Sequence, residues 1–278
     1  MADPPLDSIV SLLALTPTGR DDFVARTRPF GGSGLFGGLL LAQFVSAANC
    51  TVAAGREPHS VHAFFLHHGH AGTPIEYHVE RVRDGRTFSQ RNVTAVQDGR
   101  MVANAVVVFH VPGDGDDWQG PALAVPNPDD IAPGGSWIRR RAALDMFEFR
   151  HVPGPDGEPS IHPVWIRVTD TLPDDPTVHV ALLAMCSDLG LTSAVQRAGV
   201  PRDDERCVSV DHAVWFSRFQ RADEWFLLDA QAVSRFGGHG CVDAALYGRD
   251  GALLLKVSQG NLIRRDAPRR KSASRPDQ

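Results

Sequence analysis

The chain has 278 residues, 28 Lys and Arg against 33 Asp and Glu, a formal charge of −5 and a pI near 6.2, a balance that argues against a dedicated nucleic-acid binder. With 42% hydrophobic and 22% charged residues, wholesale disorder and fibrous repeats are excluded. The apolar runs Gly37 to Leu41 and Ala105 to Phe109 fall far short of a bilayer span, so no membrane association is expected. The N-terminus lacks the basic region of a secretory signal. Four cysteines (Cys50, Cys186, Cys207, Cys241) without CxxC spacing suit a reduced, cytoplasmic chain. At roughly 150 residues per domain, the length suggests about two domains.

Along the chain, Phe30-Gly31-Gly32 and Phe36-Gly37-Gly38 precede Leu40, Phe44, Ala47, Ala48 and Val52, whose spacing lies on one helical face. Strand-like segments follow at Val61 to Leu66, Ile75 to Val82, Thr87 to Val96 and Met101 to Val111, with Asp84-Gly85 and Asp98-Gly99 as hairpin turns. The stretch from Pro112 to Gly135 is rich in Pro, Gly and Asp and reads as a linker. The second half repeats the plan: an extended Trp165 to Val168, a helix entered at Pro176 and carrying Val178, Leu182, Leu183 and Met185, then strands Cys207 to Phe219, Glu224 to Val233, Cys241 to Tyr247 and Ala252 to Ile263.

Ser60-Val61-His62-Ala63-Phe64-Phe65 parallels the stretch Ser209 to Phe216, and the distance from there to the next Asp-Gly turn is similar, 38 and 41 residues. An internal duplication follows: an α+β plan made twice, each an antiparallel sheet wrapped around a long helix that must be apolar nearly all round. The boundaries expected are 1–112, a linker 113–135, 136–263, and a basic, disordered tail 264–278 with six basic and two acidic residues.

Three residues stand out. Gln259 ends an apolar row of Leu253, Leu255 and Val257, where an unpaired amide would cost about 1–3 kcal/mol, although a surface glutamine at a strand end fits the same pattern. Counted from the turns, its first-half equivalent is Val107, so a single site per chain, contributed mainly by the second half, is expected. Ser209 shares strand parity with Asp211, Ala213 and Trp215, and no GxSxG elbow surrounds it. Asp188 falls at the end of the second helix, against the macrodipole, where solvated aspartates are also common. The His59, His62, His67, His68, His70 and His78 cluster lacks metal-ligand spacing, and the glycines match neither a P-loop nor a Rossmann fingerprint, so neither metal nor nucleotide cofactor is expected.

These motifs together resemble the acyl-CoA thioesterase II family, the TesB-like double hot-dog thioesterases. The likeness runs in order from about residue 8 to 263. It is carried by Phe36-Gly37-Gly38, Gln43, Ala47-Ala48, His59 to Leu66 and Val82 to Ser89, then by Val164 to Arg167, Ser187-Asp188-Leu189, Asp211 to Phe216 and Glu224-Trp225. The resemblance implies a double hot-dog that hydrolyses an acyl-CoA to free CoA and a carboxylic acid without a cofactor, and that assembles into homo-oligomers. It assigns the water-binding aspartate, hydroxyl and glutamine to Asp188, Ser209 and Gln259. Substrate contacts are expected at Gly37, Gly38, Leu40, Phe44, His67 and His68, with an acyl tunnel lined by Leu40, Phe44 and Val45. Many relatives read Phe-Leu-Arg-Pro-Gly where this chain has Phe65-Leu66-His67-His68-Gly69. A hot-dog enoyl-CoA hydratase and a catalytically weak acyl-CoA binding module are the competing readings.

Overall fold

The computed structural model describes residues 8–30, 33–133, 145–154, 157–199 and 204–265; the tail expected beyond 265 lies outside them. The first half comprises α1 (Ile9–Leu13), β1 (Leu15–Pro17), β2 (Asp22–Ala25), α2 (Gly37–Asn49), β3 (Glu57–Phe65), β4 (Ile75–Asp84), β5 (Phe88–Gln97) and β6 (Arg100–His110). The second comprises β7 (Phe147–Pro153), β8 (Pro159–Val168), α3 (Pro176–Cys186), α4 (Leu191–Arg197), β9 (Glu205–Phe216), β10 (Phe226–Phe236), β11 (His239–Gly248) and β12 (Leu253–Arg265). Sequence patterning did not reveal α1, β1, β2, β7 or α4, all short.

The strands form one antiparallel twelve-stranded sheet in the order β1-β2-β4-β5-β6-β3-β9-β12-β11-β10-β8-β7. The halves therefore do not make separate sheets: β3 and β9 pair at the centre, Ser60 opposite Trp215 through Phe64 opposite Asp211. The Asp98-Gly99 hairpin is the two-residue turn expected, both residues having positive φ (52° and 72°) as a type I′ turn requires.

Helices α2 and α3 lie in the hollow of the sheet and touch one another. From Gly38 to Ala48, α2 is buried at every position except Ser46, which is why it is apolar nearly all round. Its one large polar residue, Gln43, is fully bonded: Nε2 donates to Leu12 O (2.7 Å) and Arg26 O (2.9 Å), and Oε1 accepts the Tyr77 hydroxyl (2.7 Å). Residues Pro176–Arg197, with a mean hydropathy of 1.6, are long and apolar enough to span a bilayer. Here they form α3 and α4, broken at Ser187–Gly190 and mostly buried, so their apolarity serves the core.

The segment read as a linker is laid along the second half. Gln119 Oε1 accepts from Leu253 N (2.8 Å) and Arg218 Nη1 (2.7 Å), its Nε2 donates to Gly251 O (2.9 Å), and Trp165 Nε1 donates to Pro126 O (3.0 Å). At the other end, β12 runs through Arg265, two residues past the expected boundary, held there by Glu205.

Candidate active site

A cavity of about 770 Å³ opens where the first turn of α2 meets the end of α3. Its walls include Phe36, Gly37 and Leu40 from the first half and Asp188, Ser209 and Leu262 from the second. The elements that position these groups follow from local sequence. With Gly37 and Gly38 opening α2, its first turn comes close to α3: a Cβ on Gly38 would lie 2.3 Å from Met185 O, and one on Gly37 2.7 Å from Asp188 Oδ2. Asp188 follows the C-cap Ser187 of α3, so its carboxylate projects at that junction and accepts the Gly38 N–H.

Only 7% of the Asp188 side chain is exposed. Burial raises its pKa from 3.8 to about 7, partly opposed by the Gly38 N–H, which favours the anion. That value suits a base working near neutrality.

Ser209 reaches the cavity by a route that strand parity does not predict. The β12–β9 register runs Gly260 opposite Asp211 and then Asn261 opposite Ser209, which leaves Val210 unpaired as a bulge. The extra residue turns Ser209 from the outer face, which Asp211 and Trp215 occupy, to the face of Asn261, Gln259 and His212. The expectation that Ser209 shares a face with Asp211, Ala213 and Trp215 is corrected accordingly.

Gln259 lies one layer behind, fully buried, opposite His212. Its Oε1 is 2.7 Å from His212 Nδ1 and its Nε2 donates to Asn261 Oδ1 at 2.9 Å. The Asp188 carboxylate is 3.8 Å from the same His212 nitrogen, so the imidazole links Asp188 to Gln259. Burial drives His212 the opposite way from Asp188, to a pKa of about 4, against the Gln259 hydrogen bond.

Of the expected substrate contacts, Gly37, Leu40, His67 and His68 line the cavity. Gly38 lies behind it with its N–H on Asp188, and Phe44 and Val45 are core residues, Phe44 edge-on to Tyr77 at 5.5 Å. His67 Nδ1 donates to Met101 O (2.8 Å), and His68 packs edge-on against His70 (5.5 Å). Sequence reasoning missed His212 and Asn261, although both lie on the inward-facing rows of their strands. It also missed His162 on β8, a wall residue whose ring nitrogens are buried without a hydrogen bond of good geometry. Among the described residues, no three or more His, Cys, Asp or Glu side chains converge as metal ligands would.

Two helices held in one long antiparallel sheet define a double hot-dog fold; a hot-dog protein of Alicyclobacillus acidocaldarius shares it, with a TM-score of 0.75 at 20% identity over 92% of this chain and 98% of that one. The acyl-CoA thioesterase N-terminal and C-terminal domain families match residues 25–110 and 113–263. The chain belongs to the acyl-CoA thioesterase II family. It is 28% identical to acyl-CoA thioesterase 2 of Haemophilus influenzae over 93% of this chain and 98% of that one, and 27% identical to human acyl-coenzyme A thioesterase 8 over 94% and 92%. The acyl-CoA thioesterase II TesB2 of Mycobacterium marinum superimposes with a TM-score of 0.82 at 32% identity, covering 94% and 99% of the two chains.

Proposed function

We propose that this protein hydrolyses acyl-CoA thioesters with a water molecule held by Asp188, Ser209 and Gln259. The observation that carries the reading is Asp188, a carboxylate with a pKa of about 7, in the wall of the cavity that Ser209 also lines and joined through His212 to Gln259. Asp188 takes a proton from the water as its oxygen bonds to the thioester carbonyl carbon. Ser209 and the free amide hydrogen of Gln259 orient that water, an effect of proximity rather than of charge. First-turn N–H groups of α2 face the developing oxyanion at the positive end of the helix dipole. Collapse of the tetrahedral intermediate breaks the C–S bond, and the Asp188 proton passes to the departing thiolate.

A thiol-detecting assay with saturated acyl-CoAs tests the activity: CoA release is expected, and its loss in Asp188→Asn with the fold intact. Enoyl-CoA hydration without thiol release would instead identify a hydratase, and neither reaction a binding module. Assembly into homo-oligomers is supported by Phe64 and Trp215, 47% and 38% exposed on the outer face of the central strands, and light scattering tests it. The free thiols Cys50, Cys186, Cys207 and Cys241 suit a reducing, cytoplasmic setting, which cell fractionation tests.

A further inference from the structure

The imidazole of His212 has no role in the chemistry above, yet it is wholly buried between Asp188, Ser187 and Gln259. Its hydrogen bonds can be assigned by counting protons. Gln259 Oε1, 2.7 Å from Nδ1, can only accept, so the hydrogen of the neutral ring sits on Nδ1. Nε2 is then an acceptor, and the single hydroxyl hydrogen of Ser187, whose Oγ lies 2.8 Å from both Nε2 and Ala184 O, serves it. The ring stays uncharged, as its burial favours, and the Asp188 carboxylate lies 3.8 Å from Nδ1. With Oε1 on the imidazole and one amide hydrogen on Asn261 Oδ1, Gln259 retains a single uncommitted hydrogen in a fixed orientation.

The first half shows what the fold requires at this place. Where β12 pairs with β9 through Gln259 and His212, β6 pairs with β3 through Val107 and Val61, both fully buried. Two valines satisfy the packing there, so the polar pair serves something other than folding. We infer that His212 is a positioning residue that holds the Gln259 amide in the orientation hydrolysis needs, acting on the reaction through Gln259. The inference rests on the proposed roles of Asp188 and Gln259.

A double-mutant cycle with acyl-CoA turnover as the readout tests it, using His212→Val and Gln259→Val, which together recreate the apolar pair of the first half. His212→Val is expected to lower kcat by about 100-fold, the scale of a misplaced reactive group, with KM changed less than about threefold. In the Gln259→Val background the same change is expected to cost less than about twofold, because its effect is already lost. Two further variants guard against a purely structural effect. His212→Asn places its amide near the former Nδ1 and keeps a contact with Gln259, whereas His212→Gln reaches Ser187 instead. Asn is therefore expected to restore kcat at least tenfold better than Gln, as a simple packing role would not require. Multiplicative losses in the cycle, wild-type kcat in His212→Val, or equal kcat in the Asn and Gln variants would each overturn the inference. Wild-type turnover in Gln259→Val alone would overturn the active-site reading beneath it, a separate and recognisable result.

Discussion

The Asp188 carboxylate and the Gly38 N–H meet across the junction of α3 and α2, so a group from each half of the chain builds the same few ångströms of the site. Gly37 closes the contact, since any Cβ there would sit 2.7 Å from Asp188 Oδ2 and 3.0 Å from Phe65 Cζ. Gly37→Ala is expected to push the carboxylate aside and lower kcat by about 10- to 100-fold with little change in melting temperature. Gly38→Ala meets the Met185 carbonyl at 2.3 Å, backbone that cannot yield, and is expected to cost about 1–3 kcal/mol of stability as well. Steady-state kinetics beside thermal melts separate the two outcomes.

Asp188 should trade stability for activity. Its folded pKa of about 7 lies above the unfolded 3.8, so between those values the native state binds more protons and stability falls as pH rises. Asp188→Asn is therefore expected to melt higher than the wild type at pH 8, by at most about 4 kcal/mol, with the gap closing towards pH 4. Turnover in the wild type should rise through pH 7 as the base loses its proton, and the variant should lose about 10²- to 10⁴-fold. A variant that melts lower at pH 8 would show that the buried charge is compensated.

His162 should limit acid stability. Burial holds its pKa near 4, against 6.5 when unfolded, although the Gly190 and Leu228 backbones oppose the shift. The unfolded chain takes up the proton first, so stability is lost as pH falls from about 6.5 to about 4. His162→Leu is expected to flatten urea-derived stability across that window by up to about 3 kcal/mol. An unchanged pH dependence would remove His162 as a cause.

Arg91 is the counterpart test, buried in the first half. It donates to Thr51 Oγ1 and O, Arg83 O, Gln90 O and the Asp84 carboxylate, with 1% of its side chain exposed. Arg91→Met leaves those acceptors unpaired and is expected to cost about 3 kcal/mol. Because Arg91 is no part of the cavity wall, kcat should stay within about twofold below the melting transition.

The plan of long helices and paired strands was readable because each follows a clear period: α2 is apolar on every side, and Leu253, Leu255 and Val257 alternate. The Asp98-Gly99 turn needs only its own two residues to form. What escaped has a non-local cause. The bulge at Val210 exists only in the pairing with β12, so strand parity put Ser209 on the wrong face. His212 carries no signal of its own in the sequence, because its partners come from 25 residues upstream and 47 downstream. The resemblance put Phe44 and Val45 in a tunnel, and helix periodicity, which tells apolar from polar but not cavity wall from core, could not correct it. The strands β1 and β7 are short edge elements and β2 a four-residue strand between β1 and β4, and pairing, not composition, makes them strands.

The seam between β3 and β9 carries a last implication. A half-length ancestor meeting its twin along that edge would have built the same twelve-stranded sheet with two identical pockets. In one chain the two copies need not match, and here they do not: one holds an imidazole and an amide where the other holds Val61 and Val107.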